Sequence, residues 1–208
     1  MLASPGSSAM NLRLLLSLLV LLGWPLSAHA QIAAVTSPSG PVQAGPYVVI
    51  DAATGETLVE RNAGAFWHPA SLTKLMTIYL VFEELKARRL TLATPMALSE
   101  AARAKPPSKL GLGPGQTITV EQGLQALVAR SANDVAAGFG ELISGSEAAF
   151  AHRMTETAAR IGMNGTQFRN ASGWPDPAQI STARDMAMLA LALVRQFPEY
   201  YGYFRTQE

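Results

Sequence analysis

The segment from Ser71 to about Arg89 places the strongest constraint on how this chain can fold. It is the most hydrophobic stretch after residue 30, and it is apolar on nearly every face until charged side chains appear in its last turns. A helix that is apolar all round has to be enclosed by other parts of the molecule. Pro69 favours a start near Ala70 or Ser71, because the residue before a proline is biased away from helix. We therefore predict a buried helix with a polar C-terminal end.

The other segments predict a mixed α/β fold in which one hairpin is followed mostly by helices. Strand-forming residues on both sides of a turn at 52–55 predict two strands, at 47–51 and 57–60. Residues 91–115 become rich in proline and glycine and predict a loop-rich excursion. Further elements are predicted as a short β-like stretch at 116–120 and as helices at 121–129, at 134–143, after Ser146, and from Thr182 to about Gln196.

The first 30 residues have the pattern of a secretory signal peptide. Arg13 precedes an apolar run at 14–22, and a small-residue pattern occupies 28–30. Pro25 interrupts the apolar run well short of the roughly 20 residues that a membrane span needs. We predict cleavage after Ala30 and an exposed lead-in at 31–45, with an uncleaved membrane anchor as the alternative.

The charge balance and the absence of cysteine exclude several classes of function and site. Of 16 basic and 15 acidic residues, only Arg13 lies in the first 30, which leaves 15 of each sign. A neutral chain without lysine or arginine clusters has no electrostatic footprint for nucleic acid. Cysteine is absent, so there are no disulfides or thiolate metal sites. The three scattered histidines lack metal-ligand spacing, and we predict neither a metal nor a cofactor.

The tetrapeptide Ser71-Leu72-Thr73-Lys74 lies at the start of the predicted buried helix. Residues i and i+3 share one helix face, so the Ser71 hydroxyl and the Lys74 amine can meet. A serine hydroxyl needs a base, and a lysine serves if burial lowers its pKa from about 10.4 toward neutrality. A depression of about 3 units would cost about 4 kcal/mol, which desolvation and a second cation can supply. The Ser71 amide at the helix start can in addition donate to an oxyanion.

Taken alone, the Ser-x-x-Lys pattern is weak, and a structural interpretation competes with the catalytic one. In that interpretation Ser71 merely caps its helix and Lys74 reaches solvent. A Ser-His-Asp triad would have to use His68 or His152, neither of which has a special context. The position of the motif at the start of the most buried helix favours the catalytic interpretation, because polar groups on a buried helix must find partners.

A second motif, Ser131-Ala132-Asn133-Asp134, lies between two predicted helices. A serine and an asparagine two residues apart in a turn can point the same way, so that one relays a proton and the other donates to a substrate amide. On local grounds the simpler interpretation is favoured, in which Ser131 or Asn133 caps the following helix.

Taken together, these segments resemble the low-molecular-mass penicillin-binding proteins, specifically the serine D-alanyl-D-alanine carboxypeptidases. Ser-x-x-Lys is a motif of that superfamily, and the resemblance extends in the family's order over roughly residues 45–205. The matching segments are 54–63, 69–77, 131–134, 162–163, 166–170 and 181–186. The resemblance implies a β-lactamase/transpeptidase-like catalytic domain from residue 46 to 208 and a periplasmic location.

The resemblance also implies a role for each motif residue. Ser71 would form an acyl-enzyme with the penultimate D-alanine of a peptidoglycan stem peptide, and Lys74 would accept its proton. Ser131 would pass a proton to the departing D-alanine, and Asn133 would hold the substrate peptide. β-Lactams would acylate Ser71 in the same way, because they present a strained amide to the same nucleophile.

The chain departs from the family pattern at two places. Ala132 replaces the usual glycine of the second motif, and no Lys-Thr-Gly tripeptide occurs before Glu208. We therefore expect that the chain stops before the third motif and before the remaining strands, a small β-rich domain and an amphipathic tail for peripheral inner-membrane association. The alternatives to a carboxypeptidase are a D-alanyl endopeptidase of the same family, a β-lactamase, and a catalytically inactive fragment.

Overall fold

The structure is a computed structural model and describes residues 45–206. The predicted signal peptide and all but the last residue of the predicted lead-in lie outside the described residues. Within residues 45–206, no helix combines the length and the apolar character that crossing a membrane requires.

The described chain forms six short strands and six helices, with two 3-10 segments. The mixed α/β architecture and the N-terminal hairpin agree with the sequence prediction. The strands are β1 (Tyr47–Ile50), β2 (Thr57–Arg61), β3 (Phe66–Trp67), β4 (Pro95–Ala97), β5 (Thr117–Thr119) and β6 (Ser181–Thr182). The helices are α1 (Lys74–Lys86), α2 (Glu100–Arg103), α3 (Val120–Arg130), α4 (Asn133–Ser144), α5 (Glu147–Arg160) and α6 (Ala183–Gln196), with 3-10 segments at Ala70–Thr73 and Pro198–Arg205.

Helix α1 is the centre of the core, as its apolar sequence predicts. Met76, Leu80 and Phe82 are fully buried, and the helix contacts α3, α4, α5 and α6. The start of the segment differs from the prediction, because residues 70–73 form a 3-10 turn before the α-helix begins at Lys74. This tighter turn has three residues per turn, so it places side chains three apart directly above one another.

The strands form three separate antiparallel pairs among the described residues. β1 pairs with β2 in the predicted hairpin, β3 pairs with β6, and β4 pairs with β5. The prediction of an irregular 91–115 segment was incomplete, since it contains β4 and α2. The sequence also missed the β3–β6 pair, because strands of two residues are too short to show an alternating pattern.

Side-chain caps set the starts of four helices, and at α2 the Ser99 hydroxyl accepts from the Ala102 amide at 3.0 Å. Thr119 and Gln122 form a reciprocal capping box at α3. The Ser146 hydroxyl accepts from the Ala149 amide at α5, and Thr182 does the same for Asp185 at α6, as predicted. The predicted cap of α4 by Ser131 or Asn133 was wrong, because Ala132 occupies that position without a side-chain cap.

A buried carboxylate instead organises the start of α4. Asp134 is fully buried, and its two oxygens accept the backbone N–H groups of Leu110 and Gly111, each at 2.9 Å. One of these oxygens also accepts from the amide of Val135 at 2.9 Å. The first turn of a helix favours a negative charge. Asp134 therefore ties the glycine-rich loop to the helix that follows Ser131.

We expect Asp134→Asn to lower the free energy of unfolding by about 2–3 kcal/mol. The substitution replaces one accepting oxygen with an NH2 donor, which leaves the part-buried hydrogen bond to the amide of Leu110 or Gly111 without its acceptor. The measurement is urea denaturation of the full-length protein. Asp51→Asn is the matched control, because Asp51 accepts from Ala53 and Thr54 in an exposed turn that asparagine also supports. Equal losses in the two variants would contradict this account.

Candidate active site

The Ser71 and Lys74 side chains meet at the N-terminal end of the core helix. The 3-10 turn aligns them, and the Lys74 Nζ lies 3.4 Å from the Ser71 Oγ. Ser71 is exposed, whereas Lys74 has only 3% of its surface exposed. The interpretation in which Ser71 caps the helix and Lys74 reaches solvent was therefore wrong, since neither Ala70–Thr73 nor α1 has a side-chain cap.

Burial prepares the Lys74 amine to act as a base. Desolvation lowers the pKa of Lys74 from its usual value to about 8. At that pKa about a tenth of the side chains are neutral at pH 7. Within the described part of the chain Lys74 forms no salt bridge that would restore its charged form. Its second hydrogen bond goes to the backbone carbonyl of Ser172, at 2.6 Å.

One open cavity of about 500 Å³ brings three of the four predicted site residues together. Ser71, Lys74 and Ser131 all line it. Ser131 is half-buried and has left-handed backbone angles, with φ of 52° and ψ of 40°, at the end of α3. Apolar side chains make up much of the remaining wall, namely Leu72, Leu75, Ile78, Leu127 and Val128.

Asn133 does not line that cavity. It is 7% exposed, and its side-chain NH2 group donates to the carbonyls of Pro106 and Pro107, at 3.0 and 3.3 Å. Its backbone N–H donates to the Ser108 carbonyl at 2.7 Å. In this structure Asn133 therefore anchors the loop before the glycine-rich segment.

The loop at 170–174 belongs to the site, and the sequence identified it only as a turn. Besides the Ser172 carbonyl that binds Lys74, the Ala171 carbonyl accepts from the Thr77 hydroxyl of α1 at 2.7 Å. Gly173, with φ of +87°, lies so close to the chain before Ser71 that a Cβ atom would fall 1.8 Å from the Ala70 carbonyl oxygen. A glycine with positive φ in a turn was the available indication, but it did not reveal the neighbour.

The backbone at Ser71 is suited to receive negative charge. The first amide to bond within the 3-10 turn is that of Leu72, which donates to the Pro69 carbonyl at 3.1 Å. The Ser71 N–H precedes it and so has no acceptor within the turn. Within residues 45–206 no group of histidine, aspartate and glutamate side chains is arranged to hold a metal ion. The chemistry available at this site is that of a serine, a partly neutral lysine and backbone donors.

Comparisons with known proteins identify relatives of this chain. A family model described as "D-alanyl-D-alanine carboxypeptidase" matches residues 31–208. D-alanyl-D-alanine carboxypeptidase DacC from Escherichia coli (strain K12) is 34% identical over 188 residues, covering 88% of this chain and 46% of the relative. The curated relatives it matches are thus about twice as long as the matched part of this chain.

Two solved structures have the same fold. The D-alanyl-D-alanine carboxypeptidase DacD from Francisella tularensis superposes with a TM-score of 0.76 and 36% identity, covering 84% of this chain and 43% of the other. Penicillin binding protein 5 from Haemophilus influenzae gives a TM-score of 0.73 and 31% identity, with coverage of 76% and 47%. Both structures share the fold, and the family model over residues 31–208 shows the common family.

Proposed function

The chain belongs to the D-alanyl-D-alanine carboxypeptidase family, and from that premise we propose that the protein removes the terminal D-alanine of peptidoglycan stem peptides through an acyl-enzyme on Ser71. The observation that carries this proposal is the exposed Ser71 hydroxyl 3.4 Å from a buried lysine whose pKa is lowered to about 8. A nucleophile beside a base that is partly neutral near physiological pH is what acyl transfer requires.

In the proposed reaction the neutral amine of Lys74 takes the proton of Ser71 as its oxygen attacks the carbonyl carbon of the penultimate D-alanine. The Ser71 N–H stabilises the resulting oxyanion. Collapse breaks the peptide bond, and Ser131 passes a proton to the nitrogen of the departing D-alanine. Water then attacks the ester, the stem peptide leaves with a new carboxylate, and Ser71 regains its proton. Asn133 would hold the substrate peptide once its amide turns toward the cavity.

Several attributes of the whole protein accompany this proposal. Residues 1–30 act as a signal peptide, and residues 46–208 belong to the catalytic domain, which works in the periplasm with peripheral attachment to the inner membrane. β-Lactams acylate Ser71, because their strained amide presents the same carbonyl to the same nucleophile. The similarity to penicillin binding protein 5 from Haemophilus influenzae supports this part.

The test uses the full-length protein made from its natural gene. We expect release of free D-alanine from a stem pentapeptide, and loss of that release after incubation with penicillin. A fluorescent penicillin should label the tryptic peptide from Asn62 to Lys74, in which Ser71 is the single serine. Fragmentation in the mass spectrometer separates Ser71 from the nearby Thr73 hydroxyl.

The outcomes separate the alternatives. A label in another peptide, or no label on folded protein, would refute the proposal. Cleavage of cross-linked muropeptides without release of terminal D-alanine would instead assign the endopeptidase activity of the same family. Sustained turnover of the penicillin, in place of a stable adduct, would indicate a β-lactamase.

A further inference from the structure

A single side-chain oxygen organises the loop that contacts Lys74. The Oδ1 atom of Asn170 accepts the backbone N–H groups of Ser172, Gly173 and Trp174, at 3.2, 2.8 and 3.1 Å. It also lies 3.2 Å from the Ser172 hydroxyl, which donates to it. The Nδ2 atom of Asn170 closes the turn by donating to the Trp174 carbonyl at 2.9 Å. Asn170 therefore determines the path of the backbone through Ser172.

The Ser172 carbonyl controls the direction in which the Lys74 amine presents its lone pair. A neutral amine has two N–H groups and one lone pair, and only the lone pair can take a proton from Ser71. The hydrogen bond of 2.6 Å to Ser172 occupies one N–H on the side of the loop. In its charged form the amine also donates to the Ser71 oxygen, 3.4 Å from Nζ. Once the amine has lost a proton, its lone pair can face that oxygen while the bond to Ser172 is kept. Without a fixed acceptor, nothing on the side of the loop would hold the amine in this orientation.

We propose that Asn170 is a positioning residue for acyl transfer, which holds the Ser172 carbonyl where it orients the amine of Lys74 toward Ser71. This inference rests on the proposed function, because it takes Ser71 as nucleophile and Lys74 as base. Asn170 itself does not contact either side chain, so its effect passes through the backbone of the loop.

Other contacts hold the same loop and should keep it folded when Asn170 is replaced. The buried side chain of Gln179 accepts from the amides of Arg169 and Asn170, at 2.9 and 3.0 Å. The Ala171 amide donates to Glu147, which also forms an ion pair with Lys105. Among the described residues, Lys74 and Glu147 are the charged side chains of neighbouring elements that hydrogen-bond to this loop, and Lys105 pairs with Glu147. Loss of Asn170 should therefore shift the Ser172 carbonyl without releasing the whole segment.

Two substitutions in the full-length protein separate positioning from simple structural support. Asn170→Ala removes the oxygen, and we expect the second-order rate constant for acylation by fluorescent penicillin to fall about tenfold to a hundredfold at pH 9.5. Asn170→Asp keeps an accepting oxygen in place, so its rate constant at pH 9.5 or above should stay within about threefold of the unsubstituted protein.

The pH profile provides a readout that a structural role would not change. The new carboxylate in Asn170→Asp favours the charged form of Lys74, so the midpoint of the acylation profile should move up by about half a unit to one unit. Asn170→Ala should lower the acylation rate constant at the high-pH plateau of the profile and leave the pH of its midpoint nearly unchanged. Asn164→Ala is the matched control, because Asn164 is an exposed residue in a nearby turn, and it should change neither quantity.

Two results would overturn the inference. One is an Asn170→Ala variant that melts within a few degrees of the unsubstituted protein and is acylated at an unchanged rate. The other, decisive even if the alanine variant does not fold, is an Asn170→Asp variant with a reduced plateau and an unshifted midpoint. A label outside the peptide from Asn62 to Lys74 in the unsubstituted protein would refute the proposed function instead, so the two failures are distinguishable.

Discussion

Replacement of Lys74 by methionine should abolish most acylation while making the protein more stable at neutral pH. Methionine has nearly the length of lysine but no proton acceptor, so Ser71 loses its base. General bases contribute about two to four orders of magnitude, and we expect the acylation rate constant at pH 8 to fall by about three orders or more. Penicillin labelling of Ser71 measures this loss, with Ser71→Ala as the blank. The substitution removes the trypsin site at residue 74, so the labelled peptide of this variant runs from Asn62 to Lys86, with Ser71 still its single serine.

The gain in stability follows from the depressed pKa of Lys74. Burial lowers that pKa from 10.5 to about 8, so protonated Lys74 lowers the free energy of unfolding by about 3 kcal/mol below pH 8. Methionine removes this penalty but leaves the Ser172 carbonyl without its donor, which costs about 1–2 kcal/mol. The net expectation at pH 7 is a gain of about 1–2 kcal/mol.

The sign of the pH dependence provides a second check. Between pH 8 and 10.5 the unfolded chain binds a proton at Lys74 that the folded protein does not, so the penalty disappears as the pH rises. The advantage of Lys74→Met should therefore shrink and reverse by about pH 10. Lys86→Met is the control, because Lys86 is exposed on the same helix and donates to the Gln196 carbonyl. A loss of stability at pH 7 in Lys74→Met alone would show that burial of this lysine is not penalised.

The features of this fold that could be predicted are those determined by residues close together in the sequence. The apolar run after Ser71 predicts a buried helix, and the caps at Ser146 and Thr182 predict where two further helices start. The pairing of Ser71 with Lys74 was predictable for the same reason, since residues three apart in a helical turn must lie close together. These features need no knowledge of distant segments.

The parts that could not be predicted depend on contacts between residues far apart in sequence. The Ser172 carbonyl is 98 residues from Lys74 in the sequence. Every residue has a backbone carbonyl, so no sequence pattern shows which one will bind the lysine. Asn133 likewise uses its amide on the carbonyls of the 106–107 segment, which no motif indicates. A motif thus located the proposed nucleophile and base, whereas the groups around them could be identified only in the folded structure.

Replacement of Gly173 by alanine should disrupt the site from the side of the loop. The new Cβ would fall 1.8 Å from the carbonyl oxygen of Ala70 and 3.1 Å from the amide nitrogen of Ser71. The alanine would also have to adopt the φ of +87° that Gly173 has. Both neighbours are backbone atoms that cannot rotate away. Overpacking and backbone strain each cost about 1–3 kcal/mol, so we expect a total loss of about 3–5 kcal/mol.

The loss of activity should exceed what the loss of stability explains, because relief of this clash moves the chain next to the nucleophile. We expect the folded fraction of Gly173→Ala to be acylated at least a hundredfold more slowly, measured at a temperature well below its melting point. Gly145→Ala is the matched control, since Gly145 has a φ of +77° but nothing within 4 Å of its missing Cβ. That variant isolates backbone strain, so it should lose about 1 kcal/mol and retain its acylation rate. Equal behaviour of the two variants would mean that the approach of Gly173 to Ala70 does not hold the nucleophile in place.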